Sequence, residues 1–187
     1  KRSAAQGAVV WIPGSAASDP LPRGRIASHD KRFEPRVAAV PAGGTVDFPN
    51  LDKIHHNVFS LSETARFDLG LYKNGKSQPK TFPKPGLVRV YCNIHPSMAA
   101  YVMVVDGGVY ALTGADGIAV LSGVAPGRYP LKVWEERGGE WAGTADVAAG
   151  KTAPVAVTLD ATAYRAASHT RKDGTAYPPP EDDENRY

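Results

Sequence analysis

The chain has 187 residues, 42% of them hydrophobic, and a formal net charge of +3; it is long enough for one large domain or two small ones, and too apolar to be disordered throughout. Its single cysteine excludes an intrachain disulfide framework and a multi-cysteine zinc or iron–sulfur site. No apolar run approaches the roughly 20 residues of a membrane helix, and no Lys/Arg block with interleaved aromatics supports a nucleic-acid partner.

Glycine (19) and proline (16) together make about 19% of the chain, well above the usual share of about 12%. They separate short runs rich in Val, Ile, Tyr and Phe. In chain order these predict strands at 8–12, 36–40, 45–48, 57–60, 87–92, 100–105, 109–113, 118–121, 129–135 and 155–159. Leu87-Val88-Arg89-Val90-Tyr91 alternates strictly, which sends one face inward. No stretch of a dozen residues carries a 3.6-residue period, so helix content is expected to be low. Residues 13–35 read as a long polar surface connection. Asp106-Gly107-Gly108 has turn chemistry and marks a domain boundary.

After Asp160 the composition changes to that of a tail, which buries too little apolar area to offset its ordering entropy. Its end, residues 181–187, carries four acids and one Arg, so a net of −3 there leaves +6 on the rest. A mildly basic body with an acidic end suits an acidic protein partner. If the tail is ordered, the body or a partner must hold it.

The cysteine sits in Tyr91-Cys92-Asn93-Ile94-His95-Pro96-Ser97-Met98, at a strand end. Cys92, His95 and Met98 offer a thiolate, an imidazole and a thioether within one short loop. Upstream, another strand begins at His55-His56-Asn57. One imidazole from that pair completes two histidines, one cysteine and a weak axial methionine, the donor set of a blue-copper electron-transfer site. Copper alternates between a soft and a harder ion, and this mixed set suits both states. Zinc also accepts one cysteine with two histidines, but rarely a thioether.

These residues resemble the cupredoxins, chiefly the amicyanin, pseudoazurin and plastocyanin branch. The resemblance covers residues 7–105. It rests on Phe33-x-Pro35, on Ala42-Gly43-Gly44-Thr45-Val46-Asp47-Phe48-Pro49-Asn50-x-Asp52, and on His56-Asn57-Val58-Phe59. Pro85-Gly86-x-Val88-x-Val90-x-Cys92 and Cys92-x-x-His95-Pro96-x-Met98 complete it. It implies a Greek-key β-sandwich holding one type 1 copper, with His56, Cys92, His95 and Met98 as metal ligands. Adjacent strand residues face opposite sides, so only one of His55 and His56 faces the metal. In the family the asparagine after the first histidine ties the ligand loops together, which Asn57 is expected to do. Relatives often carry Pro where this chain has His55.

Asp106 to Asp160 is similar to a carboxypeptidase-regulatory-type (transthyretin-like) β-sandwich. That likeness rests on Asp116-Gly117-x-Ala119-x-Leu121-x-Gly123-Val124-x-Pro126-Gly127-x-Tyr129-x-Leu131-x-Val133-Trp134. Pro126-Gly127 reads as its hairpin turn, with Tyr129, Leu131 and Val133 facing one side and Trp134 in the core. The expected organisation is all-β: a cupredoxin domain at 1–106, a small second β-sandwich at 107–160 and an extended charged, Pro-rich tail at 161–187.

The expected function is one-electron transfer between larger redox partners of cytochrome or dehydrogenase class, with the tail as a candidate contact. No membrane span is expected, for want of a long apolar run, and no catalysis, because all four ligand positions are protein-filled. The compartment expected is the periplasm or another exported space, with a leader already removed. Two rival readings are copper storage or delivery, and a non-catalytic copper subunit of a larger redox complex.

Overall fold

The computed structural model describes residues 3–166 and 169–178, so the acidic end at 181–187 lies outside the described residues. The described residues are all-β, with no helix, and hence none long and apolar enough to cross a membrane. The strands begin with β1 (Val9–Ile12), β2 (Arg23–Arg25), β3 (Ala27–His29), β4 (Arg32–Glu34) and β5 (Val37–Pro41). They continue with β6 (Thr45–Pro49), β7 (His56–Ser62), β8 (Ala65–Tyr72), β9 (Ser77–Thr81) and β10 (Gly86–Tyr91). The last four are β11 (Ala99–Val105), β12 (Val109–Leu112), β13 (Gly127–Glu135) and β14 (Gly139–Val147).

Two compact units form. Among the described residues, one comprises 22–104 with 169–178, the other 3–21 with 105–166. The first holds a five-stranded sheet ordered β5-β11-β10-β7-β8, a three-stranded sheet ordered β2-β6-β9, and the β3-β4 hairpin. The alternation read in β10 is realised: Val88 and Val90 are buried, and Arg89 between them is exposed. Val46 and Phe48 of β6 are likewise buried, with Asp47 only partly so. These residues meet in one core with Val58, Phe82, Ala100 and Val102, which makes the unit a β-sandwich. Each buried Val or Phe side chain contributes roughly 1.5–3 kcal/mol by leaving water.

The stretch at 13–35 is more than a surface connection. It contains β2, β3 and β4, and it buries Ile26 and Phe33 in the sandwich core. Its polar residues masked an apolar residue every few positions. β8 and β9 are strands that the sequence pattern does not predict. β9 is mostly exposed and polar, and is a strand only because its backbone pairs with β6.

The second unit is an antiparallel sheet ordered β12-β1-β13-β14. Here the observed partition differs from the expected 1–106 and 107–160. β1 pairs with β12 and β13, Val9 lying opposite both Leu112 and Trp134. An apolar four-residue strand fits many sheets, and its partner is set by long-range pairing that sequence does not display. The runs at 118–121 and 155–159 form no strand. Pro126-Gly127 opens β13, with Gly127 its first residue, rather than turning a hairpin; the turn lies at Glu136-Arg137-Gly138, between Glu135 and its partner Gly139. Leu131 and Val133 are buried and Tyr129 partly so, alternating with the more exposed Pro130 and Lys132. Trp134 is also buried.

Candidate metal centre

His56 opens β7, and the loop before it is organised by a buried amide. Asn50 Nδ2 donates to the carbonyls of Ile54 at 2.9 Å and Tyr72 at 3.0 Å. Its Oδ1 accepts from the Asp52 amide at 2.9 Å. This turn aims the Asp52 carboxylate back at the ring of His56, 2.7 Å from Nε2. The same carboxylate accepts from the amides of Asp30 at 2.7 Å and Lys31 at 3.0 Å. Burial pushes the Asp52 carboxyl up, but these amides and His56 outweigh it and hold the group below its ordinary value. An ionised carboxylate only accepts, so Nε2 of His56 carries the hydrogen and Nδ1 keeps a free lone pair.

Cys92 follows the last residue of β10, and its loop closes on itself. The Cys92 amide donates to Met98 O at 3.2 Å, and the Met98 amide to His95 O at 3.1 Å. The Ile94 amide points at Cys92 Sγ, 3.4 Å away. Burial pushes the Cys92 thiol up, while the amides of Asn57, His95 and Ile94 pull it back in part.

These two segments bring three donor atoms together. Cys92 Sγ lies 4.0 Å from His56 Nδ1 and 3.9 Å from His95 Nδ1. The imidazoles meet edge to face, with centroids 4.9 Å apart. Among the described residues this is the one group of three His, Cys, Asp or Glu side chains whose ligand atoms converge, all within 4.8 Å of one another. All three are buried. Burial lowers the pKa of His56 against the opposing pull of Asp52. Two imidazoles and a thiol, their donor atoms mutually facing in a dry site, are what a borderline or soft cation satisfies, and its arrival displaces the thiol proton.

Of the four residues expected as ligands, the structure thus brings three together. Met98 is fully buried and packs in the same cluster as Cys92. His55 is only partly buried and stands outside the group. Asn57 ties the two ligand segments through its main-chain amide and not through its side chain. Its side-chain Nδ2 donates to Asp68 Oδ1 at 2.7 Å and Gly70 O at 3.0 Å, both on β8, rather than tying the ligand loops. Its main-chain amide serves Cys92 instead. Trp11 lies in the other unit, where Nε1 donates to Asp106. Tyr101 and Phe59 are buried packing residues. Sequence reasoning missed the roles of Asn50 and Asp52. The available signal was an Asn-x-Asp turn placed directly before a histidine strand.

No protein-family model matches the chain, and no curated protein does. Solved structures similar to it include the Cu-containing nitrite reductase from Thermus scotoductus SA-01, at 28% identity and a TM-score of 0.42, covering 49% of this chain and 24% of that one. The chain therefore spans about a quarter of that enzyme chain. A purple cupredoxin from Nitrosopumilus maritimus is 22% identical with a TM-score of 0.39, over 43% of this chain and 98% of that one. Amicyanin from Paracoccus versutus is 19% identical with a TM-score of 0.41, over 51% of this chain and 96% of that one.

Proposed function

We propose that the chain is a cupredoxin-type copper protein that carries single electrons between larger redox partners. The observation that supports this most is the convergence of Cys92 Sγ with the Nδ1 atoms of His56 and His95 in a buried site of a β-sandwich. His56, Cys92 and His95 would hold the metal, with Met98 as a weak fourth ligand. Copper bound there supplies a one-electron couple.

The chain's own residues do the rest. Asp52 fixes the tautomer and orientation of His56 through a 2.7 Å hydrogen bond. Burial pushes the Cys92 thiol up, and the amides around the sulfur offset part of that rise. The self-closed loop holds Cys92 and His95 against movement, so little rearranges when an electron arrives. The protein fills the proposed ligand set by itself, so the reading is a carrier, not an enzyme. Its partners would be of cytochrome or dehydrogenase class, in the periplasm or another exported space. Residues 107–160 are proposed as an accessory element of the assembly.

The test is the absorption and EPR spectrum of the copper-loaded full chain. An intense visible band and a narrow copper hyperfine splitting, both lost reversibly on one-electron reduction, are expected. A colourless Cu(II) protein with ordinary tetragonal EPR parameters overturns the assignment. A coloured protein that surrenders Cu(I) to a chelator within seconds favours delivery instead.

A further inference from the structure

We propose that residues 169–178 form a strap that positions the Cys92–Met98 loop, with His169 and Tyr177 as its positioning residues. The segment belongs to the tail whose composition promised no core of its own. It docks through polar groups instead, within the same compact unit as the loop. Three consecutive attachments fall on the loop. Tyr177 Oη donates to Cys92 O. The Lys172 amide donates to Asn93 Oδ1 at 2.8 Å. His169 Nε2 donates to Pro96 O at 3.0 Å, since a carbonyl only accepts.

The strap is itself preformed. The amides of Arg171 and Gly174 bond to the carbonyls of Thr175 and Arg171, each at 2.9 Å, and Asp173 Oδ1 accepts from Thr175 N at 2.9 Å. That turn sets the Lys172 amide toward Asn93. The His169 ring stacks on Tyr91 at 4.0 Å with planes 21° apart, directly before Cys92 in the chain. The Tyr177 ring also meets the His169 ring edge to face, with centroids 5.2 Å apart, so the two side chains pack against each other. Lys172 Nζ pairs with Asp68, the residue that accepts from Asn57 beside His56. One short segment thus grips the loop bearing Cys92 and His95, and also reaches the strand pair that carries His56.

The consequence for copper rests on the metal-centre reading above; the grip on the loop does not. The experiment uses the full chain and its Tyr177→Phe, His169→Gln and double variants. In the metal-free protein, hydrogen exchange is followed at the amides of Cys92 and Met98, with Val88 and Val102 as core controls. Exchange at the loop amides is expected to rise about tenfold in the double variant, as for loss of one or two net hydrogen bonds, with the core unchanged. In the copper-loaded protein the same variants are expected to shift the thiolate-to-copper absorption band, a readout that general destabilisation does not move. Unchanged loop exchange in the double variant overturns the strap. Equal acceleration of loop and core also overturns it. A wild-type chain that takes up no copper sinks the metal-centre reading, while the exchange comparison still decides the strap.

Discussion

The carboxylate of Asp52 stands 2.7 Å from Nε2 of His56, and this contact decides which nitrogen of the ring faces Cys92. The histidine side chain is wholly buried and the aspartate nearly so. An imidazole in that position has two ways to place its hydrogen, and only one leaves a lone pair for a metal. Asp52 selects it, while two amides of the β3–β4 turn hold Asp52 itself.

Replacing Asp52→Asn therefore removes the charge that orients His56 and sets an amide hydrogen against one of its three donors. Copper affinity is expected to fall about 10–100-fold, the usual cost of losing an outer partner of a ligating histidine. Competition against a chelator of known affinity measures it. Unchanged affinity would mean that packing alone orients the ring.

Cys92→Ser tests the sulfur. A hydroxyl of similar size keeps the loop's main-chain bonds, so the variant is expected to fold. It cannot provide the soft thiolate, and the intense visible band of the copper-loaded protein is expected to vanish. If the variant stayed coloured, another donor would have to carry the absorption.

Much of this site was legible because its signals are local. Cys92-x-x-His95 is one loop, and the alternation of β10 shows which side of its strand faces the core. His56 followed from the motif around it. What stayed hidden was non-local. β9 carries no apolar pattern, because its strand character comes from its partner β6 rather than its own side chains. β1 is apolar enough for either sheet, and only pairing with Leu112 and Trp134 shows where it belongs. The strap residues His169 and Tyr177 look like tail composition, since hydrogen bonds to main-chain carbonyls leave no hydrophobic trace.

The boundary glycines give a stability test. A Cβ built at Gly108 overlaps Ala16 O and Ala17 Cα. Both are backbone atoms, and the Gly108 amide is bonded to Ser15 O at 2.9 Å, so neither side can move freely. Gly108→Ala is expected to destabilise the unit containing β1 and β12 by about 1–3 kcal/mol, the range for overpacking. Trp11, Trp134 and Trp141 are the chain's three tryptophans and all lie in this unit, so tryptophan fluorescence during denaturant unfolding reports it. An unchanged midpoint would show that the 105–109 turn relaxes at no cost.

The same fluorescence reads a pH dependence centred on Asp106. Trp11 Nε1 donates to its Oδ1 at 2.6 Å, and Lys132 Nζ lies 3.4 Å from Oδ2. Burial pushes this carboxyl up, but the indole hydrogen bond and the lysine charge outweigh it and hold it below its ordinary value. A carboxyl lowered on folding stabilises the fold fully above its unfolded value, and that contribution is lost as pH falls through the lower folded value. Stability of the tryptophan-bearing unit is therefore expected to decline between about pH 5 and pH 2. The carboxylate is more than a third exposed, so water screens the pair and the slope is modest. Asp106→Asn keeps an acceptor for Trp11 but has no proton to gain in that range. Its stability profile is expected to be flatter than that of the wild type across the acid limb. Superimposable profiles would show that other carboxylates, and not the Trp11 contact, carry the acid sensitivity of this sheet.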